Sequence, residues 1–213
     1  MKAFLRTALW GPLSVLLLLL LSGPGIAAAD GPNAMAVDAT SGGSVDNTRT
    51  VTGTATFDVD VVVTTAGTAY NGYQDALSFD TSVVQADTVT QVPPAGFSTC
   101  GAKAIDNTTN PGTAYDYGCL KFSAPGWTFT GTVTTVTLHC VGNGTSALHL
   151  ITLAEDPDFG TTTLDAGGGI INTGLTNAEV TCQSVATPNA APLARWTARL
   201  WGIMAGTGPG ALP

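Results

Sequence analysis

Basic residues are scarce. Only 7 of the 213 residues are Lys or Arg, against 15 Asp or Glu. After Ala29 the chain keeps five bases (Arg49, Lys103, Lys121, Arg195 and Arg199) and all the acids, a net charge of −10. A surface of that sign repels phosphates and disfavours nucleic acid as a partner. Charged residues of either sign make up only 10% of the chain, so Thr, Ser, Asn and Gly must cover much of its surface. That composition is common among extracellular β-proteins. Signatures of catalysis are missing as well. There is no G-x-S-x-G elbow, no H-E-x-x-H and no phosphate-binding loop. The two histidines, His139 and His149, read as exposed strand residues rather than as the bases of a nucleophilic site. Glu occurs only at 155 and 179, and most Asp residues fall in turns, where they cap backbone amides. A hidden pair of carboxylates would make a glycoside hydrolase, which stays as a remote alternative. No C-x-x-C pair exists, which argues against zinc.

What is present begins with Lys2 and Arg6, an apolar run from Ala8 to Leu21, and small residues at Ala27 and Ala29. That order predicts a secretory signal over 1–29, cut after Ala29, and a secreted or cell-surface product. The run is too short to favour a spanning helix. Residues 30–185 form one domain-sized body. From 186 to 213 a linker, "ATPNAAP", leads to "LARWTARLWGIMA", which places Leu193, Trp196, Leu200 and Met204 at helical spacing. This tail is either a small amphipathic helix, the one part suited to membrane contact, or an unstructured end.

Strand signals dominate the body. Phe57, Val59 and Val61 alternate with Asp58 and Asp60. Val136, Leu138 and Cys140 alternate with Thr135, Thr137 and His139, and "GNGT" then leads into "SALHLITL", which reads as a hairpin. Gly, Asn, Asp and Pro clusters separate the runs, and no helical period interrupts them. The expected fold is all-β: an antiparallel jelly-roll sandwich of about nine strands, immunoglobulin-like in appearance.

Four cysteines in an exported body favour two disulfides, with three possible pairings. Cys100–Cys119 would close a Gly-, Asn- and Pro-rich loop, and Cys140–Cys182 would link two strands. No cofactor is expected, with calcium as the one possibility. Glu155, Asp156 and Asp158 share a turn, with Asp165 a short loop away, but their spacing matches no EF-hand loop. For ligand binding, Tyr115, Tyr117 and Trp127 are the flat side chains that could stack on a sugar, the alternative for Trp127 being a place in the core beside Phe129. Asn107 and Asn143 open two glycosylation sequons.

The stretch "GYQDALSFDTSVVQADTV" resembles the cohesin-type modules of cellulosomal scaffoldins and the related sandwiches of carbohydrate-binding modules. The matching positions are Gly72, Tyr73, Gln74, Phe79, Asp80, Ser82, Val83 and Val84. "GTVTTVTLHCVGNGTSALHLI" and "GLTNAEVTC" are similar to later strands of that group, so the likeness runs from about Ala34 to Val185. It implies a nine-stranded jelly roll without catalytic machinery that works through a surface. The partner it implies is a protein, dockerin-like or another surface protein, in extracellular interaction or adhesion, with polysaccharide breakdown as context. Polysaccharide held by exposed aromatics is the alternative. The chain departs from the pattern at Thr81, where the group has Pro, and in its disulfides. It also departs at Asp75, which shares the inward parity of Tyr73, Leu77 and Phe79. Either a bulge turns Asp75 outward or it has a buried partner.

Overall fold

The computed structural model describes residues 31–184; the expected signal and tail lie outside them. Among the described residues there are fourteen strands and no helix. In chain order the first five are β1 (Asn33–Asp38), β2 (Thr48–Thr52), β3 (Thr56–Ala66), β4 (Gly72–Phe79) and β5 (Val84–Gln91). Next come β6 (Thr99–Cys100), β7 (Lys103–Asp106), β8 (Gly112–Leu120), β9 (Gly131–Cys140) and β10 (Gly144–Leu150). The last are β11 (Thr162–Leu164), β12 (Ile170–Ile171), β13 (Thr173–Thr176) and β14 (Ala178–Gln183).

They form two facing sheets. The first runs β13-β1-β3-β9-β5, and the second β12-β11-β4-β10-β14-β2, with β8 on the other edge of β4 and β6 and β7 on β8. The expected sandwich is present. It is mixed rather than purely antiparallel, because β1 pairs with β13 and β14 with β2 in parallel. Between the sheets lie Met35, Val59, Val61, Leu77, Leu138 and Leu148, all sealed from solvent. Each such side chain contributes about 1.5–3 kcal/mol of burial.

The expected β9–β10 hairpin does not form. β9 belongs to the first sheet and β10 to the second. The amides of Val141 and Gly142 bond the carbonyl of Val83, which carries the chain over the end of the sandwich instead of back along β9. At that same end Cys140 of β9 is bonded to Cys182 of β14, so this disulfide ties one sheet to the other. Cys100 and Cys119 are direct partners across β6 and β8. Both pairings follow the expectation. A different device guards the free edge of β5. The Asn107 side-chain amide bonds both the N–H and the C=O of Ala86, at 3.0 and 2.9 Å, as a neighbouring strand would. This use of Asn107 leaves Asn143, which is exposed, as the accessible one of the two sequon residues.

Chain-entropy arithmetic for separations of 19 and 42 residues assigns about 3 kcal/mol to Cys100–Cys119 and about 4 kcal/mol to Cys140–Cys182. Paired Cys→Ser variants should therefore both lose stability in denaturant melts, the inter-sheet pair more.

Candidate functional site

β8 positions the groups with chemical potential. Its alternation sends Tyr115 and Tyr117 outward and Ala114 and Asp116 inward. Then the period breaks. Tyr73 faces Cys119 while Asp75 faces Asp116, so two steps along β4 match three along β8. The extra residue is a bulge at Tyr117–Gly118, where Gly118 takes φ 76° and a Cβ would collide with the carbonyl of Tyr73. The bulge is why Asp116 and Cys119, three residues apart, both face inward.

Asp75 and Asp116 are each only 1% exposed. The Oγ1 of Thr134, from the opposite sheet, lies 2.7 Å from Asp75 Oδ2 and 2.8 Å from Asp116 Oδ2. A hydroxyl owns one hydrogen and can donate to one carboxyl only. The other contact needs a proton from the acid itself. Asp116 Oδ1 already accepts from Gln91 Nε2 and from the amide of Gly118. The proton therefore belongs to Asp75, which donates to Thr134, and Thr134 donates to Asp116. Burial first, and then the neighbouring Asp116, push the Asp75 carboxyl well above the usual aspartate range. Burial also raises the neighbouring Tyr73 hydroxyl, with added contributions from Asp116 and Asp75. So the question left by the parity of Asp75 has a double answer: the ladder is bulged, on β8, and Asp75 points inward to a partner.

On the outer face, Tyr115 and Tyr117 stand nearly parallel, with ring centroids 5.9 Å apart and planes 14° apart. Phe159, 44% exposed, meets Tyr117 edge-on at 4.7 Å and Tyr115 at 6.3 Å. The turn carrying Phe159 is pinned by Gln74 Nε2, which donates to the carbonyls of Asp158 and Gly160. Tyr115 OH donates to Asp156 Oδ2 at 3.3 Å. Trp127 does not join this group. It is half-buried against the core, backbone-paired with Tyr70, and Lys121 Nζ lies 4.8 Å from its ring centroid.

Three of the four calcium candidates spend their carboxylates locally. Asp156 Oδ1 accepts the amides of Asp158 and Phe159, and Asp165 Oδ1 those of Gly167 and Gly169. Glu155 accepts from Thr152 and pairs with His149 Nε2 at 3.0 Å. The Thr152 amide, with help from His149, holds the Glu155 carboxyl below its ordinary range. Among the described residues no three His, Cys, Asp or Glu side chains gather where they could hold a metal. Asp80 caps the turn after β4, accepting from the amide and hydroxyl of Ser82, and these bonds lower its pKa.

Sequence reasoning missed Phe159, which lies far from the tyrosines along the chain, and the Asp116–Thr134–Gln91 cluster. The available signal for the second was "DYGC", in which a glycine two residues after an aspartate permits a bulge.

No protein-family model matches the chain, and no curated protein sequence matches it. Solved structures do. A cohesin module from a family 33 glycoside hydrolase of Clostridium perfringens superposes with a TM-score of 0.51, at 9% identity over 73% of this chain and 99% of that one. A chain from the complex of CaCohA2 with a CaDoc0917 variant superposes with a TM-score of 0.50, at 16% identity over 71% of this chain and 99% of that one. The chain thus has the cohesin-type β-sandwich fold.

The acid pair predicts a pH signature. A carboxyl whose folded pKa is raised contributes stability that is complete below its unfolded value and is lost as pH rises through the folded one. Asp75→Asn keeps a polar amide beside Thr134 and removes the titration. In denaturant melts between about pH 4 and pH 9, wild type should lose stability relative to Asp75→Asn as pH rises. A difference that stays flat with pH contradicts the protonated Asp75.

Proposed function

We propose that this chain is an exported, non-catalytic binding module of cohesin type that engages a protein partner outside the cell, dockerin-like or another surface protein. The observation that carries this reading is the surface cluster in which half-buried Tyr115 and Tyr117 on the outer face of β8 meet the exposed Phe159 from a neighbouring turn. Paired tyrosines with an adjacent phenylalanine supply rigid contact area with hydroxyl handles, the composition typical of interface anchors. Support comes from the fold, one neighbour of which was crystallised in a two-component complex. The link to polysaccharide breakdown is supported by the other neighbour, a module of a glycoside hydrolase. Two disulfides suit an oxidising compartment. Against catalysis, Asp75 and Asp116 are sealed from any substrate and bond to Thr134 inside the sandwich.

A second reading, carbohydrate binding, is favoured by the near-parallel planes of the two tyrosines. The edge-on Phe159 and the separate place of Trp127 work against a continuous sugar platform. The exported protein is to be assayed against purified dockerin-bearing proteins and against insoluble polysaccharides. The protein reading expects a dockerin-type partner to be bound and Tyr117→Ala to weaken it about tenfold or more. Retention on polysaccharide alone, lost in Tyr115→Ala and Tyr117→Ala, overturns it.

A further inference from the structure

We propose that Thr134 and Gln91 react with each other to form an intramolecular ester that cross-links β9 to β5. The two residues are direct partners in the β5–β9 ladder. Both side chains point between the sheets and end on the same carboxylate. Thr134 Oγ1 lies 2.8 Å from Asp116 Oδ2, and Gln91 Nε2 is bonded to Asp116 Oδ1. One oxygen of Asp116 therefore touches the nucleophile's hydroxyl, and the other touches the nitrogen that must leave. That is the arrangement a general base needs if it is to become the general acid of the same reaction.

The remaining contacts hold the parts still. The amide of Gly118 donates to Asp116 Oδ1 at 2.8 Å, and the carbonyl of Gly101 accepts from Gln91 Nε2 at 3.2 Å. Asp75 brings its own proton to Thr134, so the cluster carries one negative charge, on the group that must act as base. The other ionisable side chains near it are Tyr73 on β4, which stays protonated, and Lys103, the exposed partner of Asp116 on β7.

The step balances without an oxidant or cofactor. Thr134 Oγ1 bonds to Gln91 Cδ as its hydrogen passes to Asp116 Oδ2. The Cδ–Nε2 bond then breaks, Asp116 returns a proton to the nitrogen, and ammonia leaves. Gln91 is only half-buried, so ammonia has a way out, whereas Thr134 is fully buried, so the ester oxygen is shielded from water. The product would lock β5, an edge strand of the first sheet, to β9, its one ladder partner among the described residues.

Mass spectrometry of the folded wild-type protein tests this directly. The ester costs about 17 Da, the mass of one ammonia. Cyclisation at Asn143–Gly144 would cost the same, so connectivity must decide. After reduction, cleavage at Arg49, Lys103, Lys121 and Arg195 leaves fragments 50–103 and 122–195 with no disulfide between them. In the wild type they should stay joined until treated with alkaline hydroxylamine, and in Thr134→Val and Gln91→Ala they should separate. Full mass with separate fragments in the reduced wild type, after prolonged incubation of the folded protein, overturns the proposal whether or not the variants fold.

Discussion

Two carboxyl groups cannot both be charged in a layer that water does not reach. Asp75 and Asp116 face each other from adjacent strands, each only 1% exposed, and no cation is among their hydrogen-bonding partners. The protein resolves the conflict with one retained proton and one shared hydroxyl, Thr134, supplied by the opposite sheet. The rest of β8 follows from that arrangement. Asp116 is aimed inward just ahead of the bulge, the Gly118 amide is spent on it, and the bulge then restores Cys119 to the inner face. Tyr115 and Tyr117 on either side of Asp116 are thereby held outward on a strand that cannot slide. A polar cluster inside the sandwich so fixes the geometry of the surface outside it.

The same economy recurs elsewhere. This chain closes its sandwich with local polar and covalent devices rather than with a thicker core. Cys140–Cys182 ties the sheets where the chain crosses between them, and Asn107 stands in for a missing strand beside β5. Asp60, buried on the first sheet, takes hydroxyl bonds from Ser41, Thr132 and Thr135. These features fit the scarcity of charge: with few ion pairs to spend, Thr and Asn side chains do the pairing.

How legible the molecule was depends on distance along the chain. Period-two alternation made the inward rows of β3, β4 and β9 readable, and the parity of Asp75 marked it as out of place. The disulfide pairing could be read because one pair brackets a turn-rich loop. The β9–β10 crossing was not legible, because "GNGT" has hairpin chemistry and only its contact with Val83, some sixty residues earlier, diverts it. Nor was the site. Asp116, Thr134 and Gln91 lie on three strands from both sheets, and Phe159 reaches the tyrosines through a turn held by Gln74. Local patterns carry no information about such meetings.

The whole arrangement turns on Asp75 holding a proton in the folded protein at neutral pH. Carbon-13 spectra of the aspartate carboxyl carbons, recorded on labelled protein across the pH range, report each protonation state directly. One carboxyl should remain protonated at neutral pH, and its signal should disappear in Asp75→Asn. Ordinary ionised shifts for every aspartate at neutral pH would contradict it.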